Sequence, residues 1–215
     1  MDTARPWASI QADMYQHEKR EYKYRYGSSM AKRVIYIHGF NSSDKSYKAV
    51  RFGELMAHYD VDYCVPCLNH EPIQAIIALE QLLTPNTVLL GSSLGGFFAT
   101  YLSQRYQIPA VVINPAVAPY TLLKPLLGLN YNPYQDYHYE LNSSHIAALK
   151  ALAVDDLKHP ELLYLLQQTG DEVLNFQHAV NYYSQCKQRI EFGGDHSYLG
   201  FEQTFASIVD FLKIT

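Results

Sequence analysis

The sequence predicts an α/β fold, a mostly parallel sheet of about six strands with helices on both faces. Three observations carry that expectation. Short apolar runs alternate with segments of helical periodicity along most of the chain, and the joins are short, as in parallel sheets covered by helices. The composition is that of an ordinary globular protein, 48% apolar and 18% charged over 215 residues, enough for one domain with a large core. One strand-to-helix junction reads Gly91-Ser92-Ser93-Leu94-Gly95, a turn so sharp that the residues flanking its centre must be small.

Taken in order, residues 1–29 read as an N-terminal extension, polar and rich in Tyr, with a thin apolar stripe from Ala8 to Tyr22 and no apolar core of a secretory signal. Met30 reads as an alternative start, and residues 30–215 as the folded domain. Arg33 to Ile37 is the first buried strand. Ser43-Asp44 suits a helix N-cap, with Val50, Phe52, Leu55 and Met56 as the apolar face of a helix reaching His58. Val61 to Val65 is a strand and Pro66 to Pro72 a loop. Ile73, Ile76, Ile77, Leu79, Leu82 and Leu83 mark the next helix. Thr87 to Leu90 is a strand, followed by a helix to Tyr106 and a strand over Pro109 to Ile113. The rhythm then breaks. Residues 114–160 form a long connection rich in Pro, Asn and Tyr, with one helix near His145 to Leu152, and long insertions of this kind tend to shape binding sites. Glu161 to Gln168, Phe176 to Ser184, Arg189 to Phe192 and Phe201 to Lys213 resume the alternation as strand, helix, strand and helix.

Bulk properties exclude several function classes. A net charge of −4 without a Lys/Arg cluster argues against a nucleic-acid footprint. No apolar run has the length of a membrane span. Three cysteines give no disulfide framework, so the expected setting is the reducing cytoplasm. Cys64-Val65-Pro66-Cys67 has the spacing of a redox pair, but no helix follows at once and no second pair offers zinc ligands. Two small buried thiols are the expectation. Tyr131, Tyr134, Tyr137 and Tyr139 crowd into nine residues and suit either a pocket wall or surface packing.

The chemistry centres on Ser93. The Gly91-x-Ser93-x-Gly95 turn, with a strand before it and a helix after, has the context of a nucleophile elbow, which presents a serine hydroxyl at the carboxyl end of a sheet. Such a hydroxyl needs a base, and the base needs a third group to fix its tautomer. In the α/β-hydrolase fold the order along the chain is Ser, acid, His. Asp171, in a Gly-Asp turn after a strongly apolar strand, is the candidate acid, with Glu172 next. Of nine histidines only His178 and His196 come after it, and His178 lies in a helical pattern. His196, after Gly193-Gly194, is the candidate base. Backbone N–H groups of Leu94 and Phe40 are the candidate oxyanion donors, with Asn41 the less favoured alternative to Phe40. Asn41, Tyr120 and Tyr131 are candidate substrate contacts. This chemistry needs neither metal nor organic cofactor.

His38-Gly39-Phe40-Asn41-Ser42-Ser43, Gly91-Ser92-Ser93-Leu94-Gly95-Gly96, Asn114-Pro115-Ala116-Val117, Leu165 to Leu174 and Gly193-Gly194-Asp195-His196, in order and at compatible spacing over residues 32–213, resemble the YqiA/YcfP family of small bacterial α/β-hydrolases, most closely its YqiA esterase branch. The resemblance implies a serine esterase for short-chain carboxylic esters and possible acyl-CoA thioesters, with Ser93, Asp171 and His196 as triad, no full lid domain and a small-molecule substrate. Residues 1–29 have no counterpart in that pattern, and Asp195 stands where an uncharged residue is usual. The competing expectation is a catalytically silent binding protein on the same scaffold.

Overall fold

Residues along the strands are apolar on both sides of the pleat, so each strand has to be covered twice. The computed structural model, which describes residues 31–215, shows how that is met. The extension 1–29, its apolar stripe and Met30 lie outside the described residues. Six strands, β1 (Lys32–Ile37), β2 (Val61–Cys64), β3 (Thr87–Ser92), β4 (Ala110–Ile113), β7 (Leu163–Gln168) and β8 (Lys187–Glu191), form one sheet in the order β2-β1-β3-β4-β7-β8. Every neighbouring pair is parallel. Ile35, Ile37, Leu89, Val112, Leu163 and Leu165 enter one core, and Val34, Tyr36, Val88, Leu90, Val111 and Leu166 the other. Helices α2 (Pro72–Leu82), α3 (Leu94–Tyr106) and α6 (Phe176–Tyr182) cover the first face. Helices α1 (Tyr47–Met56) and α7 (Phe205–Leu212) cover the second. No helix among the described residues is long and apolar enough to cross a membrane.

Two expectations are corrected near α1. The helix starts at Tyr47, because Ser43 is drawn into a turn instead, with its hydroxyl accepting the Lys45 N–H and its carbonyl accepting the Ser46 N–H. Ala49, Phe52 and Met56 form the buried face, while Val50 is half exposed.

The long connection carries more structure than its sequence suggests. A short helix α4 (Pro119–Leu122) and an antiparallel hairpin, β5 (Gly128–Asn132) with β6 (Tyr137–Leu141), precede α5 (Ser143–Ala151). Asn132 accepts the N–H groups of Tyr134 and Gln135 in the hairpin turn, and Asp136 takes a φ of 51°, which Asp tolerates. The α5 helix is closed by a reciprocal cap. The Asn142 side chain accepts the Ser144 and His145 N–H groups, and His145 Nδ1 accepts the Asn142 N–H. Tyr139 is buried beneath the hairpin, whereas Tyr131 and Tyr134 are half exposed.

Candidate active site

Strand β3 is central in the sheet and buried throughout, so whatever follows it emerges at the middle of the carboxyl edge. The chain reverses there into α3 with Ser93 at φ 54° and ψ −120°, a strained conformation for a residue with a Cβ. Ser93 N–H donates to the Ile113 carbonyl (3.1 Å), and its own carbonyl accepts from Gly96 and Ala116 (both 3.0 Å). The flanking glycines are needed for close approach. A Cβ at Gly91 would overlap the Gly95 carbonyl, and one at Gly95 would overlap the Ile37 carbonyl. Ser93 Oγ therefore stands over the N-terminus of α3, whose dipole favours negative charge.

Two side chains line up on that hydroxyl. His196 Nε2 lies 3.1 Å from Ser93 Oγ. His196 Nδ1 lies 2.9 and 3.0 Å from the two oxygens of Asp171. A carboxylate can only accept here, so the ring proton sits on Nδ1 and the Nε2 lone pair faces the serine. The Asp171 side chain is fully enclosed and is oriented by the N–H groups of Val173 (2.9 Å) and Leu174 (2.8 Å). Glu172 is turned elsewhere and accepts the backbone N–H of His196 at 3.0 Å. Asp195 does not face the imidazole, since its carboxylate takes the Ser197 hydroxyl at 2.6 Å. Lys48, on α1, donates to the Ser197 carbonyl (2.8 Å), and burial lowers its ammonium to about 8 against the pull of Asp195 and Asp171.

The loop after β1 completes the surroundings. His38 is buried, accepts the Leu68 N–H at Nε2 (3.1 Å) and bonds the Gly39 carbonyl through Nδ1 (3.0 Å), so it ties two loops together. Burial lowers its pKa. Two cavities meet at Ser93. One, of about 390 Å³, is lined largely by polar residues, among them Asn41, Tyr47, Lys48, Tyr134 and Glu172 together with His196. The other, of about 190 Å³, is apolar and is lined by Pro119, Leu122, Leu123, Val173 and Leu174 with Phe40 and Leu94. Asn41 thus borders the serine and also accepts the Tyr139 hydroxyl at 2.6 Å.

Tyr120 and Tyr131 are not brought to the serine. Tyr120 packs beside the core, and Tyr131 donates to Asp136 within the hairpin; neither lines a cavity that holds Ser93. Tyr134 lines the polar cavity instead. The thiols also differ from expectation, with Cys64 half-buried and Cys67 exposed. Desolvation raises both pKa values, the opposite of an activated redox thiol.

Among the described residues His70, Glu71 and His145 bring ligand atoms within 4.8 Å of one another. They do not fit a cation. His145 Nδ1 accepts the Asn142 N–H at 3.0 Å, so the proton is on Nε2, the atom that would have to offer its lone pair.

A parallel sheet with a serine elbow after its central strand and a His–Asp pair on the loops beyond later strands is the α/β-hydrolase fold. The chain belongs to the uncharacterised protein family UPF0227, the YqiA/YcfP family, whose profile matches residues 33–213. Solved structures of similar fold include Est1E from Butyrivibrio proteoclasticus with bound ferulic acid, at 16% identity and a TM-score of 0.67 over 87% of this chain and 91% of that one. Mouse alpha/beta hydrolase domain-containing protein 10 matches at 16% identity and 0.64 over 84% and 89%. The Pyrococcus furiosus esterase Pf2001 matches at 14% and 0.58 over 86% and 81%. At these identities the likeness concerns the fold.

Proposed function

We propose that the protein is a serine esterase that hydrolyses short-chain carboxylic esters, and acyl thioesters by the same route, through an acyl-enzyme. The observation that carries this reading is the unbroken line from Ser93 Oγ to His196 Nε2 and from Nδ1 to Asp171. As Ser93 attacks the carbonyl carbon, its proton passes to His196 Nε2, and the imidazolium is stabilised by Asp171. Phe40 and Leu94 line the apolar cavity together with Ser93, and their N–H groups are the assigned donors to the oxyanion. His196 then protonates the leaving alcohol or thiol. Water then gives its proton to the same nitrogen as its oxygen attacks the acyl carbon, and Ser93 Oγ leaves, taking that proton back and freeing the acid. The chain's own groups carry each of these steps. A reducing intracellular setting is consistent with the three cysteines.

The two cavities divide the substrate. The apolar one suits the acyl chain, and the larger polar one suits the alcohol side and Asn41. Each methylene moved from water into an apolar pocket is worth about 0.8 kcal/mol, or about fourfold. kcat/KM for p-nitrophenyl esters is therefore expected to rise about fifteenfold from acetate to butyrate, which adds two methylenes. Steady-state rates on acetate, butyrate and octanoate test both parts of the reading. A wild type that turns over none of them removes the esterase assignment, and a series flat in chain length removes the acyl assignment of the apolar cavity.

Asp171→Asn tests the tautomer. An amide nitrogen facing Nδ1 would move the ring proton to Nε2, so the base would meet the Ser93 hydroxyl with a proton already in place. The expected loss in kcat is on the order of 10³–10⁴, by analogy with the serine-protease triad, at nearly unchanged KM. Activity within a few-fold of wild type would show that Asp171 does not orient the base.

A further inference from the structure

His196 stands in a stretch that belongs to no helix or strand. Gly193, Gly194 and Tyr198 there have φ values of 81°, 74° and 62°. Such backbone has no ladder to pair its N–H and C=O groups, and nothing regular to set where its side chains stand. The partners come from inside the sheet. Asn114 is fully buried just beyond β4, and its Nδ2 donates to the carbonyls of Asp195 (2.9 Å) and His196 (3.1 Å). Its Oδ1 accepts the N–H of Gln168 (2.9 Å), the last residue of β7. Gln168 is also buried. Its Oε1 accepts the N–H groups of Asp195 (3.2 Å) and Leu199 (2.9 Å), and its Nε2 donates to the Leu199 carbonyl (2.8 Å) and to Glu191 (3.1 Å). A side-chain amide offers two donors and two lone pairs, so Gln168 is fully used and Asn114 commits both donors. Gly194 lies so close that a Cβ would overlap Gln168 Oε1.

We infer that Asn114 and Gln168 are positioning residues for the His196 imidazole, a buried amide pair that fixes the backbone on both sides of it so that Nε2 meets Ser93 Oγ. Its consequence for turnover rests on the esterase reading; its structural half does not. Hydrogen bonds from two adjacent central strands, β4 and β7, carry the rigidity of the sheet into an otherwise irregular segment. A misplacement of about 1 Å at such a base is enough to cost about 10²-fold in rate.

Asn114→Asp keeps size and shape at a position with φ 39°, a region that Asp tolerates. It replaces both donors by a carboxylate oxygen facing two carbonyls. Gln168→Glu likewise retains the acceptor for the Asp195 and Leu199 amides and replaces the donors by an oxygen facing the Leu199 carbonyl and Glu191. In each variant kcat is expected to fall about 10²-fold with KM within about twofold. The downfield proton resonance of the His196 Nδ1–H, held by Asp171 in the wild type, is expected to broaden or vanish. A merely stabilising pair would lower Tm and leave kcat and this resonance alone; that result, in either folded variant, overturns the inference. Should neither variant fold, hydrogen exchange of the wild type decides. The Asp195 and Leu199 amides are expected to exchange slowly although they lie in no strand, and exchange at unprotected rates overturns the inference. If the wild type hydrolyses no ester, the resonance and the exchange still read the clamp, so the two failures are told apart.

Discussion

Ser93→Ala is expected to lower kcat for ester hydrolysis by about 10⁴-fold or more while leaving Tm close to that of the wild type. The activity side follows from the geometry. Ser93 Oγ is the atom to which His196 points, and what remains after its removal is the stabilisation of a bound substrate by backbone donors. The stability side follows from how little else the hydroxyl does. The elbow is held by main-chain bonds from Ser93 to Ile113, Gly96 and Ala116, which alanine keeps. Alanine also has a Cβ, so the cost of φ 54° is carried over unchanged. Rates with p-nitrophenyl butyrate and thermal unfolding by circular dichroism check both halves. A variant as active as the wild type would move the reaction away from Ser93 and bring the silent binding protein forward.

Gly95→Ala is expected to have the largest effect on stability of any single added methyl at the elbow. The new Cβ would overlap the carbonyl oxygen of Ile37 and crowd that of His38. Both are main-chain atoms at the end of β1, which is paired to β2 and β3, so neither can swing aside as a side chain would. Overpacking of a well-filled interior costs about 1–3 kcal/mol and occasionally more, and a clash between backbone segments belongs at the upper end. For a protein of this size about 3 kcal/mol corresponds to a fall in Tm of roughly 6–12 °C. Relief by pushing α3 outward would carry Leu94 and Ser93 with it, so activity is expected to fall as well. An alanine variant with the wild-type Tm would mean that α3 does not pack on β1 as closely as described.

The parts of this architecture that were legible in the sequence are those that local rules dictate. Apolar runs such as Val34 to Ile37 and Leu163 to Leu166 announce strands buried on both faces, and all six strands of the sheet lie within a few residues of where periodicity puts them. Turn chemistry and chain order nominate Ser93, Asp171 and His196, and the fold brings these three side chains together. Glu172 and Asp171 are adjacent in sequence, and only the fold shows that one meets the imidazole and the other the backbone behind it.

What stayed hidden depends on contacts between distant segments. The β5–β6 hairpin alternates Tyr with polar residues, a pattern that also fits a loop, and only its packing against Asn41 and His70 distinguishes the two. Tyr120, on α4, and Tyr131, on β5, share a residue type with Tyr134, but only Tyr134, in the hairpin turn, lines the polar cavity. Ser43-Asp44 has the chemistry of a helix cap, and a local turn claims the Ser43 hydroxyl first. Lys48, Asn114 and Gln168 carried no local signal of a site. The last two do end apolar strands at the carboxyl edge of the sheet, and a buried amide in that place is the cue that could have marked them.

The most direct test of the account is to treat the intact protein with a fluorophosphonate ester and locate the adduct by peptide mass spectrometry. Attack by an activated serine forms a bond to phosphorus and expels fluoride, and the adduct is a stable mimic of the tetrahedral intermediate. One equivalent is expected on Ser93, with labelling abolished in Ser93→Ala and strongly slowed in His196→Ala. A folded protein that takes up no label, or takes it up on another residue, would contradict the assignment of Ser93, His196 and Asp171 as a working triad.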